Sequence, residues 1–471
     1  MFHQYPQSDV NEAILLYEGR FRVRHSDRYV EGTGSARLRW LPSPGIEFDI
    51  EIAEPFPGGD SDSMTVDVPG FRTQNVLAHS MTLGLTSRIR AFASTMESLP
   101  QQNLHSIGFQ VVNFTNFITP GLSAAPGDPT AIAGVNGPER SSGEAPLTGS
   151  STERVQSCTC ATADLRHDGW NISLVALPES HERYEHLKAT GGYSFTHVEQ
   201  LTRVDRSAFA VQQAEKILES LRVFLSFARG AACSLPIRWG RGTDGEIVWR
   251  QFGSPIVDRW RQPHSWFDET HGEFLSELFD PFCRVHNDDR LRDSLVLALH
   301  WYRHSNTNSS GQEGSLVLGM AALELLSALI VVDRCGSMSA QEHNRLNAAT
   351  KLRALLKALD IPAGIPSRYV ALTAFAEKND KSDSCEALTR LRNGFVHANE
   401  KHRNVVFGSD GREAVFDARQ LSLWYHELAL LRLLRYHGGY RNRTTAEWVG
   451  QVEPVPWSGR SRPSAVEQRT P

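Results

Sequence analysis

The stretch Ser315–Val332, SLVLGMAALELLSALIVV, constrains this chain more than any other. Its only charged side chain is Glu324, near the middle. A run of this length is nearly enough to cross a bilayer as a helix. An ionised carboxylate halfway along would be costly in lipid. Gly319, Ala321, Ala322 and Ala328 suit close packing between helices instead. The run predicts the central buried helix of a bundle, in a protein with no membrane partner.

The surrounding text supports that reading. After Pro263 apolar residues recur at helical spacing almost to the end, predicting helices near 266–284, 288–304, 314–334, 342–359, 367–378, 383–398 and 417–437. In the last of these Leu421, Trp424, Leu428, Leu431 and Leu434 line one stripe, and Gly438-Gly439 stop it. The N-terminal part obeys a different period. Ile14–Val23, Ala36–Trp40, Ile46–Ile52 and Ile107–Phe117 are short and β-branched or aromatic, with Pro-Gly or Gly-rich turns between several of them. Strand-like text resumes at Trp170–Leu177 and Gly192–His197, while residues 74–98 fit neither period. Residues 120–157 are rich in Pro, Gly, Ser, Ala and Thr and lack aromatics, which predicts a flexible insertion. From Ser207 onward Phe209, Val211, Ala214, Ile217, Leu218, Leu221 and Leu225 mark an amphipathic helix, followed by strands at Ser234–Trp239 and Glu246–Phe252.

The predicted class is α+β. A β-rich N-terminal domain takes residues 1–204, with the insertion near 120–157. An α/β linking segment takes 205–287, an all-α bundle 288–440, and a largely disordered tail 441–471. A length of 471 residues agrees with roughly two to four domains.

Composition narrows the function. The net charge of −5 argues against a strongly basic nucleic-acid binder but leaves room for a local basic patch. Only seven of the 49 basic residues are Lys, a bias that a GC-rich genome explains more simply than phosphate binding does. The six cysteines (158, 160, 233, 283, 335 and 385) include no C-x-x-C pair and form no zinc-ligand set. Scattered thiols, and an N-terminus without a basic or an apolar signal region, fit a reducing cytoplasm. No metal or cofactor is expected.

Chemistry concentrates in Arg392-Asn393-Gly394-Phe395-Val396-His397. Cleavage of RNA by its own ribose 2′-OH needs that hydroxyl deprotonated, the leaving 5′-oxygen protonated and the phosphorane held. A histidine moves protons near neutral pH. An arginine fork matches the phosphorane and keeps its charge. Spacing alone is weak: chance gives roughly one or two R-x4-H matches in such a composition. The chain has four, Arg20/His25, Arg259/His264, Arg392/His397 and Arg432/His437. Only Arg392 is followed by Asn, and only it ends a predicted helix with another long helix to follow.

This R-N-x3-H segment between helices resembles the R-x4–6-H signature of the HEPN superfamily, in which a polar residue often follows the arginine. Glu324, in Ala321-Ala322-Leu323-Glu324-Leu325-Leu326, resembles the acidic position of many HEPN domains. A β-rich region ahead of such a bundle is similar in layout to ApeA-type anti-phage proteins. The resemblance covers roughly residues 288–440. It implies that Arg392 holds the scissile phosphate, that His397 acts as acid or base, that Asn393 orients both, and that Glu324 supports Arg392 from behind. On a regular helix Asn393 and His397 share a face, whereas Arg392 lies about 140° round from His397. Family members dimerise so that two motifs form one cleft, which implies a C2 homodimer here. The implied protein is a cytoplasmic, metal-independent endoribonuclease in bacterial defence, acting on RNA and held quiet until an unknown trigger arrives.

Blander readings exist for each residue. Arg392 would pair with Glu386 or Glu400 on a helix surface; His397 would be a satisfied histidine at a helix end; Asn393-Gly394 would be a helix stop; Glu324 would pair with any buried Arg. The corresponding functions are a non-catalytic HEPN module that binds RNA or protein, and a ligand-binding β domain carrying a dimerising helical tail. Other motifs carry less. His181-Glu182-Arg183-Tyr184-Glu185-His186 is one residue too long for H-E-x-x-H, and reads as a solvated surface. Gly32-Thr33-Gly34 and Gly240-Arg241-Gly242 lack the context of a phosphate loop. Trp239, Trp249, Trp260 and Trp266 could stack on bases, although tryptophan more often packs a core.

Overall fold

The computed structural model describes residues 8–25, 28–53, 64–82, 86–99, 103–114, 162–261, 263–397, 406 and 409–459. The insertion expected near 120–157, the pair Cys158 and Cys160, Glu400 and residues 460–471 lie outside them.

The N-terminal region is built of antiparallel strands. They are β1 (Ile14–His25), β2 (Arg28–Arg39), β3 (Gly45–Ile52), β4 (Met64–Asp67), β5 (Phe71–Gln74), β6 (Leu77–Thr82), β7 (Ser87–Ala93), β8 (Thr95–Ser98) and β9 (Ser106–Val112). After the insertion come β10 (Thr162–His167), β11 (Trp170–Ala176), helix α1 (Ser180–Thr190), β12 (Phe195–Arg203), helix α2 (Val211–Arg229), β13 (Ser234–Arg241) and β14 (Ile247–Gly253). One six-stranded sheet runs β4-β1-β2-β3-β7-β6, and an eight-stranded sheet runs β10-β11-β12-β9-β13-β14-β8-β5. Residues 74–98 therefore hold β6, β7 and β8. β6 escapes the sequence pattern because LAHSMT buries no side chain fully.

Burial explains the two kinds of strand. β7 alternates, turning Ser87, Ile89, Ala91 and Ala93 inward. β9 is buried along its whole length, because it pairs with β12 on one side and β13 on the other and both its faces are covered. One face packs Phe195, Ile237, Trp239 and Phe252 against Phe21, Trp40 and Phe48 of the six-stranded sheet. The other gives Ile107, Phe109, Leu174 and Leu201 to a core shared with α2 and the helices beyond. Gly108 makes this layering possible, since a Cβ there would lie 2.3 Å from the Trp239 ring. The expected linking segment 205–287 holds α2, β13, β14 and the helix Glu273–His286. β13 hydrogen-bonds directly to β9, and sheet pairing overrides position in the sequence.

The C-terminal region is helical. It comprises α3 (Glu273–His286), α4 (Arg292–Asn306), α5 (Gly311–Ser327) with a π-helical turn at Ala328–Arg334, α6 (Ala340–Arg345), α7 (Ala348–Ala358), α8 (Val370–Lys378), α9 (Ser384–Val396) and α10 (Ser409–Leu433). The expected helix 342–359 is two. The Asn347 side chain accepts from the Thr350 N–H and starts α7 afresh. The apolar run is long enough to cross a membrane, but 61% of it is buried inside the fold. It packs between α4 and α10. Gly319 brings α5 close to α10, as its missing Cβ would stand 3.0 Å from Ser422 Oγ.

Residues 441–459, expected within a largely disordered tail, contribute buried Asn442, Thr444 and Val455 to the fold. Strands β15 (Gly439–Tyr440) and β16 (Glu453–Pro454) pair. Between them Arg443 enters the interior. Its Nε and Nη2 donate to the two carboxylate oxygens of Glu427 on α10, at 3.1 and 2.5 Å. Nη1 reaches Gln420 Oε1 at 3.0 Å, and Nη2 also reaches His264 O and Asn306 Oδ1. Tyr302 Oη donates to Glu427 at 2.7 Å. Burial works against the Arg443 charge and Glu427 more than offsets it, so its pKa is raised. Asn306 extends the network by donating to Gly230 O after α2 and to His264 O. Through Asn306 the network reaches from the bundle to the end of α2.

Candidate active site at the end of helix α9

Helix α9 is fixed at both ends. At its start the Asp383 side chain caps Glu386 N–H at 2.9 Å. Arg353 of α7 forks onto Asp383 Oδ2 (2.5 Å) and Glu386 Oε1 (2.6 Å). That contact holds the Glu386 carboxyl below its ordinary pKa. Cys385, Ala387, Leu388, Leu391 and Gly394 turn into the core.

Near the other end Arg392 is half-buried. Its Nη2 donates to Glu324 Oε1 at 2.9 Å, and its Nη1 donates to Asn393 Oδ1 at 3.1 Å. The side chains of Arg392 and Glu324 are 23% and 29% exposed, so both remain within reach of a ligand. Arg392 Nε is buried and has no hydrogen-bond partner among the described residues. Asn393 links the motif together. Its side chain takes one edge of the arginine, and its carbonyl accepts the His397 N–H at 3.1 Å.

The helix does not carry His397. α9 ends at Val396, and His397 takes an extended conformation (φ −105°, ψ 129°) and is exposed. The angular separation expected on a regular helix therefore does not apply to it. Its direction is set by the chain leaving α9. Gly394 is buried within the helix, so Asn393-Gly394 is not the stop. Glu386 serves Arg353, not Arg392. Donors held by a carboxylate can grip a phosphate, and an exposed histidine on the chain leaving the helix can exchange protons.

The remaining sequence candidates sort themselves. Trp239, Trp249, Trp260 and Trp266 are all buried, the last completely, and serve packing. His181 and His186 lie on α1 at the surface side of the sheet region. Two features went unread. The Arg353 clamp has no local signal, since its partners are 30 and 33 positions away. Arg443 follows a helix stop and reads as tail.

Fold and site define a class: an α+β chain whose layered β region abuts a helical bundle presenting an Arg-Asn-x3-His end. Residues 140–263 match the YopA central domain and residues 288–453 match the YopA C-terminal domain. The chain is 27% identical over 463 residues to the SPbeta prophage-derived uncharacterized protein YopA of Bacillus subtilis (strain 168), covering 96% of this chain and 97% of that one. No solved structure matches. The C-terminal match runs past Arg443, in keeping with that residue's place in the core.

Proposed function

We propose that this chain is a metal-independent endoribonuclease of HEPN type, a cytoplasmic effector of bacterial anti-phage defence that works as a homodimer. The observation that carries the reading is the pairing of Arg392 with Glu324 and Asn393 near the end of α9, with exposed His397 just past the helix. In the proposed reaction Arg392 holds a non-bridging phosphate oxygen. The 2′-oxygen attacks phosphorus as its proton passes to one His397. The bond to the 5′-oxygen breaks as that oxygen takes a proton from the His397 of the second copy. The products are a 2′,3′-cyclic phosphate and a 5′-hydroxyl. Glu324 and Asn393 position the arginine. The β-rich region would sense the trigger or restrain the nuclease. A prophage-derived relative fits conflict between phages and their hosts.

A second reading, a non-catalytic HEPN module that binds RNA or protein, with the β region as ligand sensor, is favoured by one observation. Glu324 already occupies an edge of the Arg392 fork, as it would for a structural arginine. RNA cleavage in EDTA, together with cell toxicity on controlled expression, separates the two. Cleavage by the native chain that is lost in His397→Ala and Arg392→Ala supports the nuclease. Equal behaviour of all three, correctly folded, leaves the binding module.

A further inference from the structure

The bundle carries a second polar centre, away from the α9 motif. The loop 263–266, the start of α8, α10 and the segment after β15 enclose a cavity of about 270 Å³, whose wall includes Arg368, Tyr369, Phe416, Gln420, Arg441 and Arg443. Among the described residues three guanidinium groups line it against one carboxylate, Asp417.

The charges are unequally used. Arg443 is spent on Glu427. Asp417 is engaged by the Leu372 N–H in the first turn of α8, at 3.1 Å. Arg368 gives Nη1 to Arg443 O at 3.2 Å and keeps its other donors. Arg441 lines the cavity, and among the described residues no side chain pairs with its guanidinium, although Glu269 feels its charge. The surplus is felt locally. Desolvation, then the charges of Arg443, Arg441 and Arg368, push His264 down to about 4.

A separate observation points to a ligand. Tyr369 is 4% exposed, lines this cavity, and its hydroxyl has no hydrogen-bond partner among the described residues. Buried hydroxyls are ordinarily satisfied. Phe416, by contrast, is 52% exposed at the same cavity, offering an aromatic face. The volume lies just below the range of drug-sized pockets, which suits a mononucleotide better than an oligonucleotide. Arginine forks match phosphate oxygens, and an aromatic face accepts a base.

We propose that this cavity binds a small phosphate monoester, a nucleoside monophosphate, with Arg441 and Arg368 on the phosphate, the Tyr369 hydroxyl donating to it and Phe416 against the base. The inference does not depend on the nuclease reading.

Calorimetric titration of the full-length chain with AMP, inorganic phosphate and succinate tests it, with circular dichroism to confirm folding of each variant. AMP should saturate one site per chain. Phosphate should bind the same site at least about tenfold more weakly, and succinate should not compete. Arg441→Gln should weaken AMP roughly tenfold or more. Tyr369→Phe, which removes only an unsatisfied hydroxyl, should fold normally and still bind AMP several-fold more weakly. No saturable heat with AMP or phosphate overturns the proposal, as does an affinity unchanged in Tyr369→Phe and Arg441→Gln. Phosphate binding as tightly as AMP overturns the nucleoside assignment, and tighter binding of succinate overturns the phosphate assignment. If Arg441→Gln misfolds, Tyr369→Phe decides.

Discussion

Replacing Arg443 by Met should cost this protein far more than replacing both Arg443 and Glu427 by apolar residues. The single change removes five hydrogen bonds, two of them to Glu427, which is fully buried. It leaves the carboxylate with one donor, Tyr302 Oη. Stranding a buried charge in this way costs about 3–5 kcal/mol. Glu427→Leu alone strands the guanidinium at a similar cost. In the double variant no buried charge remains, and the residual loss is about 1–2 kcal/mol, mostly the orphaned Tyr302 hydroxyl and the freed Asn306 and Gln420 side chains. The singles should therefore sum to roughly 6–10 kcal/mol, and the coupling in a double-mutant cycle should be at least ~4 kcal/mol. Urea unfolding of all four proteins, followed by far-ultraviolet circular dichroism, gives these quantities. A single variant within about 1 kcal/mol of the native chain would refute the argument. So would a double variant as unstable as the two singles summed, because residues 441–459 would then contribute packing and not a charge clamp.

Three other outcomes follow from the same structure. His426 and His286 are buried, and burial holds them at about 3 and about 4, below the 6.5 of an unfolded histidine. Between those values the unfolded chain binds more protons, so stability should fall as pH drops from about 6.5 toward 4, on the order of 3 kcal/mol for His286 alone. His426→Leu should keep the pH 7 stability and reduce this acid loss; urea midpoints at both pH values decide, and an unchanged slope would count against it. Gly319→Leu should destabilise by about 1–3 kcal/mol, since even a Cβ meets Ser422 Oγ at 3.0 Å; a thermal midpoint equal to the native one would show that the α5–α10 contact is looser than described. On the proposed nuclease reading, Glu324→Gln should lower RNA cleavage roughly tenfold through a misplaced Arg392, with Glu324→Asp recovering part of it, while KM for RNA stays nearly constant. A change confined to KM would make Glu324 an electrostatic screen and not a positioning residue.

Much of this molecule was legible in one dimension. The apolar run with Glu324 dictated a central buried helix, and α5 is that helix. Helical spacing after Pro263 marked out the helices from α3 to α10, because a packed stripe repeats every 3.6 residues whatever it packs against, but it put the starts of α3 and α10 seven and eight residues off and merged α6 with α7. The Arg-Asn-x3-His segment was visible for the same reason: its parts are neighbours in sequence. The pairing of Arg392 with Glu324 was foreshadowed by residue type only. Their contact spans 68 positions, and only the packing of α9 on α5 makes it. Sequence is silent where distant segments meet. β13 and β14 join the sheet of β9, and strand pairing leaves no trace in either strand alone. Position of His397 was decided by the end of α9, where the backbone turns extended and frees the side chain from helical geometry. The residues after Gly439 look polar and expendable in sequence, yet the Arg443 side chain is buried because Glu427 and Gln420 of α10 and Asn306 of α4 converge on it. Local periodicity records which face of an element is buried. Which charges are thereby forced to meet is settled only when the elements close around one another.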